Sequence, residues 1–544
     1  MLGFLKKLWE GETDGLTAAA FIIGAASLAS RLVGILRDRI LASTFGAGTQ
    51  LDAYYAAFRL PDFLYNLIIL GAITAGFIPV FIEYLESKGK EEAWRVAESV
   101  LSLVGAVMGG LSLLLILLAP VLVPWTTPGF DPEKIRLTVS LSRIMFLSPF
   151  LIGLSAVMGG ILQATKRFLS FALAPVLYNF GIIFGALFLS PRYGIAGVAW
   201  GVVIGAFLHL LAQSSVVFRI GMRNLPRPSF KSDGVRRILK LSAPRTLGLA
   251  VNQINLVILL ILASTLKTGS VAVFNLASNL QSFPIGIIGV SFAVAALPAL
   301  SRAISAKRPE EYRQTLVDTG RKIVFLILPI TVIFLLLRAQ IVRLIFGAGR
   351  FNWEDTVETA AVLGWFSVSL AAQSIIPLLT RAFYALQNTW TPLWIGIVAE
   401  VITAVCAFYF RSFLGVSGLA IAFSLAAMVQ LVLLIVWLRK KFGPLGHGAF
   451  TLSLFKTVLA CVALVGAAYP LRQWIGTLYP LTTFWRVALQ CVVTCLGGGA
   501  AFFLAAWLLR SQEIKEFSAA IRRRLWRKVR IGELVEGVDE ATGI

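Results

Sequence analysis

An apolar run that begins near Leu16 is long enough to cross a bilayer, yet its second half carries Ser30, Arg31, Arg37, Asp38 and Arg39. An arginine at mid-membrane costs on the order of 2.5 to 3.5 kcal/mol on insertion scales, and chains tolerate it where the guanidinium faces a watery cavity or an anion. Arg31 and Arg37 are six residues apart, about 9 Å of helical rise, with directions about 120° from overlap. They do not share one stripe, but both can border one wide cavity. In the next apolar run Asp52, Arg59 and Asn66 recur at sevens, nearly on one helix face, with Pro61 between. Guanidinium groups bind phosphate oxygens in a bidentate manner, so such a set suits an anion with several oxygens, such as a diphosphate. The plainer alternative is that Arg37, Asp38 and Arg39 cap the first span at the interface and Asp52 caps the second. Arg245, just after Pro244, reads equally as a cavity residue or as an anchor at the cytoplasmic side.

Other chemistry is sparse. Glu400 is the only acid in its span and is a candidate for proton or monovalent-cation coupling. No cofactor is expected, and the two histidines, His209 and His447, lack metal-ligand spacing. The cysteines 406, 461, 491 and 495 all lie in apolar runs and read as small core residues. There is no nucleotide-binding loop and no nucleophile elbow. The outer-loop acids Asp131/Glu133 and Glu354/Asp355/Glu358 form no recognisable catalytic arrangement, which disfavours a glycosyltransferase or polymerase. The intramembrane arginines disfavour an inert scaffold.

The elements that position these residues are apolar helices. Hydrophobic residues make up 58% of the 544, and fourteen runs of spanning length, from 16–41 to 484–510, predict an all-α polytopic membrane protein. The net charge of +22 invites a nucleic-acid reading, but the lysines and arginines cluster in alternate connections: Lys88/Lys90, Lys166/Arg167, Arg219 to Lys240, Arg302 to Lys322 and Arg439 to Lys441. That is the positive-inside pattern, so nucleic acid is not an expected partner and both termini are expected in the cytoplasm. Arg338, Arg343 and Arg350 fall on the other side. Met1–Trp9 reads as a short basic segment at the membrane surface rather than a cleaved leader.

An internal repeat organises the runs. At an offset of about 221, Leu41-Ala42-Ser43-Thr44 recurs as Leu262-Ala263-Ser264-Thr265, and Gly194-Ile195-Ala196-Gly197 as Gly415-Val416-Ser417-Gly418. The offset spans an even number of helices. It therefore predicts two six-helix lobes of one orientation, related by a pseudo-two-fold along the membrane normal, plus two extra C-terminal helices. The expected domains are an N-lobe over 1–220, a basic linker over 221–240, a C-lobe over 241–441, the extra pair over 442–510 and an amphipathic basic tail over 511–544. Paired lobes point to alternating access. Arg31 aligns with Asn252 and Arg37 with Ile258, so the cavity is expected to be basic on one side and neutral on the other.

Several motifs carry a family resemblance: Ser30-Arg31-x-x-Gly34-x-x-Arg37-Asp38, Phe45-Gly46-Ala47-Gly48, Asp52-Ala53, Phe58-Arg59-Leu60-Pro61, Phe346-Gly347-x-Gly349-x-Phe351 and Tyr384-Ala385-Leu386-Gln387-Asn388. In order along 16–440 the chain resembles the MurJ (MviN-type) lipid II flippases of the multidrug/oligosaccharidyl-lipid/polysaccharide exporter superfamily. The resemblance implies movement of an undecaprenyl-diphosphate-linked peptidoglycan precursor from the inner to the outer leaflet of the bacterial cytoplasmic membrane. It maps the family's cations onto Arg31, Arg37 and Arg59 and its acid onto Asp52, and it gives the last two spans a groove for the lipid tail. The partners it implies are lipid II, membrane lipids and other cell-wall synthesis proteins. Where the family pattern often has arginines, this chain has Asn66 and Asn279, and where it often has a glutamate, Leu70. An exporter of another polyprenyl-linked oligosaccharide, or a drug antiporter of the same fold, is the alternative reading.

Overall fold

The structure is a computed structural model that describes residues 16–67, 76–222, 233–443, 447–479 and 483–519. The segment Met1–Trp9, Leu70, most of the basic linker and the tail beyond 519 lie outside the described residues, as do the side chains of Arg245 and Asn252. The described residues are helical, with no strand among them.

In chain order the helices are α1 Leu16–Phe45, α2 Thr49–Tyr65, α3 Ile78–Ser87, α4 Lys90–Thr126, α5 Pro132–Met145, α6 Leu147–Ala164, α7 Phe168–Phe184, α8 Ser190–Tyr193 and α9 Ile195–Arg219. They continue with α10 Asp233–Ser264, α11 Ser270–Pro284, α12 Ser291–Ser305, α13 Pro309–Phe346, α14 Trp353–Val368, α15 Leu370–Ala385, α16 Trp390–Leu414, α17 Val416–Phe442, α18 His447–Leu478 and α19 Phe484–Leu508. Short π-helical segments, Gly185–Leu189 and Ile285–Val290, follow α7 and α11.

Among the described residues, ten helical segments are long and apolar enough to span a membrane, and eleven if α14 and α15, bent by 46°, count as one. The protein is therefore a multi-pass membrane protein. The three expected runs not among these are 16–41, 52–85 and 239–266. They carry the charges Arg31, Arg37, Arg59 and Arg245, or pass through residues that are not described.

The chain forms two compact units. The first is Met1–Phe283 with Ile345–Phe366 and Gly396–Ala426, and the second is Pro284–Leu344 with Ser367–Ile395 and Ala427–Ile544. In the first, α7 packs on α9. Gly181 and Gly185 meet Gly197, Gly201 and Gly205 so closely that a Cβ at Gly201 would lie 2.8 Å from the carbonyl oxygen of Gly181. Small residues at four-residue spacing let two backbones touch where lipid offers no hydrophobic drive for association. Phe77, Phe81 and Val96 close a core nearby. In the second unit α18 packs on α19, and the Phe325 ring sits between Phe502, to which it is tilted, and Phe517, on which it stacks. Glu513, in the helical turn 512–519, ties that end to the unit: it accepts hydrogen bonds from Arg321 Nε at 2.8 Å and Ser453 Oγ at 2.6 Å.

Candidate functional site

The site lies in the first unit, where α1 and α2 lay their charged residues along one face of α11. That face reads Ala272, Asn275, Asn279, Ser282, at steps of three and four, which is one stripe of a helix. Four contacts follow it in order. Asp52 Oδ1 accepts from the Ala272 amide at 2.8 Å, and Arg59 Nη2 donates to Asn275 Oδ1 at 3.2 Å. Asn279 Nδ2 donates to Asp38 Oδ2 at 2.8 Å, and Arg31 Nη1 reaches the Ser282 carbonyl at 3.4 Å.

Arg37 is held most firmly. Its Nε and Nη2 both donate to Asp38 Oδ1, at 2.9 and 2.8 Å, and its Nη1 donates to Asn179 Oδ1 at 3.0 Å. Asn179 Nδ2 also lies 3.5 Å from Ser30 Oγ. The Arg37 side chain keeps 22% exposure while Asp38 keeps 3%. Beyond it lies a cavity of about 290 Å³ among α2, α5, α6, α7 and α9, with Arg37, Asp62, Tyr178 and His209 on its walls. The His209 ring is 2.7 Å from Ser155 Oγ.

Asp52 is engaged on all sides by the protein. Its side chain is 1% exposed, and it takes Lys134 Nζ at 2.7 Å, the Gly269 amide at 2.7 Å and the Ala272 amide at 2.8 Å. It thus sits at the amide-bearing start of α11, where a carboxylate satisfies free N–H groups and the positive end of the helix dipole. Lys134 also lies 4.0 Å over the Phe130 ring. The expected stripe 52/59/66 consequently divides among three environments: Asp52 in this clasp, Arg59 on α11, and Asn66 donating to the Asp62 carbonyl of its own helix at 2.8 Å.

Backbone contacts tighten the same end. Gly269, at φ +95°, stands against the Ala47 carbonyl, and Gly349, at φ +56°, against the Ser43 carbonyl, with no room for a Cβ at either. The Arg350 amide donates to that Ser43 carbonyl at 2.8 Å. Lys267 contacts Glu358 and lies 3.4 Å from Glu354. Asp355 Oδ2 accepts from the Asn352 amide at 3.1 Å, and Asp131 caps α5, where the amides of Lys134 and Glu133 hold its carboxyl below the usual range. Asp131, Glu354, Asp355 and Glu358 are thus occupied in holding loops and helix ends.

Among the described residues, Arg31 and Arg59 differ from Arg37 in having no carboxylate in hydrogen-bond contact, although Asp62 lies near enough to Arg59 to act on its charge. Both rest on neutral oxygens, and the buried Arg59 Nε has no partner among the described residues. Glu400 lies apart from this set, against the Asn255 side chain of α10. Sequence reasoning missed Lys134, Asn179, Asn275 and the cavity carboxyl Asp62. Two of these have a visible signal: Asn179, an amide alone in an apolar run, and Asp62, an acid inside the run 52–85.

The family model described as lipid II flippase MurJ matches residues 41–488. A Rhizobium tropici protein named "Probable lipid II flippase MurJ" is 30% identical over 526 residues, covering 93% of this chain and 96% of that protein. A solved structure, "Lipid II flippase MurJ, inward closed conformation", superposes with a TM-score of 0.72 at 23% identity, over 89% of this chain and 99% of that one. An inward-facing multidrug resistance MATE family transporter of the MOP superfamily superposes with a TM-score of 0.67 at 19% identity, over 78% of this chain and 99% of that one, so the two share a fold. On the family match and the length of the shared sequence, this chain belongs to the lipid II flippase MurJ family.

Proposed function

We propose that this protein flips lipid II from the inner to the outer leaflet of the bacterial cytoplasmic membrane by alternating access, as a transporter and not an enzyme. One observation carries the site reading: Arg31 and Arg59 are intramembrane guanidinium groups whose contacts are neutral oxygens. A diphosphate can replace those contacts without breaking a salt bridge, and charge-assisted bonds to phosphate are roughly twice as strong as neutral ones. Arg37, oriented by Asp38 and Asn179, supplies the third cation, with Ser30 beside it. Asn66, Asn252 and Asn279 offer uncharged donors to phosphate or sugar, and Arg245 stands at the inner entrance.

In this reading the fold has fourteen spans in two six-helix lobes, with both termini cytoplasmic, and α18 and α19 carry the lipid tail. The end of α1, the start of α2 and the start of α11 then lie on the outer side. The Asp52–Lys134 clasp and the glycine contacts are the outer gate in its closed state. Opening it requires the Asp52 carboxylate to leave the α11 amides, and the α11 stripe to part from α1 and α2. Glu400 beside Asn255 is the candidate place for a proton or monovalent cation.

The test is depletion of the protein in its host. Accumulation of lipid II in the inner leaflet is expected. Normal lipid II exposure with another polyprenyl-linked glycan accumulating would transfer the activity to that substrate.

A further inference from the structure

On the face of α5 opposite Lys134, α4 and α5 enclose a groove of about 520 Å³ with Pro120 on one wall and Arg136, Ser140 and Arg143 on the other. The three α5 positions are spaced by four and three, so they form one exposed stripe. Among the described residues neither arginine is paired with an acid. On α4, Leu113 and Leu117 lie on the same side of the helix as Pro120 by their spacing and are exposed, at 60% and 67%. This is the composition of a lipid-facing wall, with two cations set into it.

Arg143 is placed there by a backbone defect. Pro120 has no N–H, so the carbonyl four residues earlier, that of Ile116, loses its helical partner. Arg143 Nε lies 3.3 Å from that oxygen and donates to it. The bond uses one edge of the guanidinium and leaves the terminal N–H groups for the groove. Arg136 and Arg143 are about 10.5 Å apart along the helix axis, within the combined reach of two arginine side chains, with the Ser140 hydroxyl between them. An arginine on a lipid-facing surface seeks either the water interface or an anion.

We infer that this groove binds one anionic phospholipid of the surrounding leaflet, its phosphate between Arg136 and Arg143 beside Ser140 and its acyl chains along Leu113 and Leu117. Charge complementarity selects the head group, and the apolar wall selects a lipid over a soluble phosphate. The leaflet, the outer one, rests on the orientation proposed above; the binding itself does not.

The test is native mass spectrometry of the full-length protein from vesicles that contain equal phosphatidylglycerol and phosphatidylethanolamine of matched chains. The wild type should retain phosphatidylglycerol preferentially. The Arg136→Gln/Arg143→Gln pair, in which glutamine can still donate to the Ile116 carbonyl, should reduce that preference by about tenfold or more through loss of two charge-assisted contacts. The Arg136→Lys/Arg143→Lys pair should keep most of it. Thermal unfolding of each variant reports folding separately. Unchanged preference in the glutamine pair, loss of preference in a normally folded lysine pair, or displacement of the lipid by inorganic phosphate alone would overturn the inference.

Discussion

Asp38 and Asp52 are two buried carboxylates with opposite freedoms. Asp38 shares its oxygens between Arg37 and Asn279, and a cation in place of that amide would be welcome. Asn279→Arg should therefore be tolerated in growth complementation, and severe loss with normal folding would show that the site depends on an uncharged group there. Asp52 has no slack. Asp52→Ala leaves Lys134, 4% exposed, without its acid, and breaking a buried pair costs about 3 to 5 kcal/mol. Thermal unfolding of purified protein should show a loss of that order, and a loss under about 1 kcal/mol would mean that the pair is weakly coupled. Arg31, Arg37, Asp52 and Arg59 were legible in the sequence because a charge inside an apolar run is conspicuous. Lys134 was not, since among Asp131, Pro132 and Glu133 it looks like a solvated loop residue. The stripe 272/275/279/282 was also hidden: alanine, asparagine and serine carry no charge, and only the partner helices reveal that face.

At the scale of elements, contact between α7 and α9 depends on glycines that oppose one another. Gly201→Leu should destabilise the protein by about 1 to 3 kcal/mol or prevent insertion, because a Cβ already meets the Gly185 Cα at 2.8 Å. Leucine at Gly110, where a Cβ meets nothing within 4 Å, is the control. The turn 512–519 offers a pH test. Burial pushes the Glu513 carboxyl up, but hydrogen bonds from Ser453, Ser511, its own amide and Arg321 outweigh this and hold it below its ordinary value of 4.5. Its stabilisation is then fully present above that ordinary value and is lost as pH falls through the lower folded-state value. The difference in thermal stability between wild type and Glu513→Gln should persist at neutral pH and shrink in acid. A difference that grows on acidification would contradict this sign. Most spans were legible from apolar length alone. The 46° bend between α14 and α15 was not, because the break comes at Ser369 rather than at Pro377, and no proline marks it.

At the scale of the molecule, we propose that the cations of the cavity, Arg31, Arg37 and Arg59, couple transport to the membrane potential. Moving one negative charge outward across an inside-negative membrane gains about 2.3 kcal/mol per 100 mV. The loaded cavity gains less because its cations neutralise part of the cargo, and the empty positive cavity returns inward with the field. Collapsing the potential at fixed pH and sodium should therefore slow head-group exposure, and unchanged flipping would leave ion exchange or consumption of the lipid outside as the driving force. The most direct measurement is the distribution of lipid II between leaflets in a flippase-depleted strain that expresses either this protein or its Arg31→Ala/Arg37→Ala variant at equal membrane levels. The wild-type chain should restore outer-leaflet lipid II, and the variant should leave it on the inner face. Failure of the wild type to restore it, or full restoration by the variant, would contradict the account.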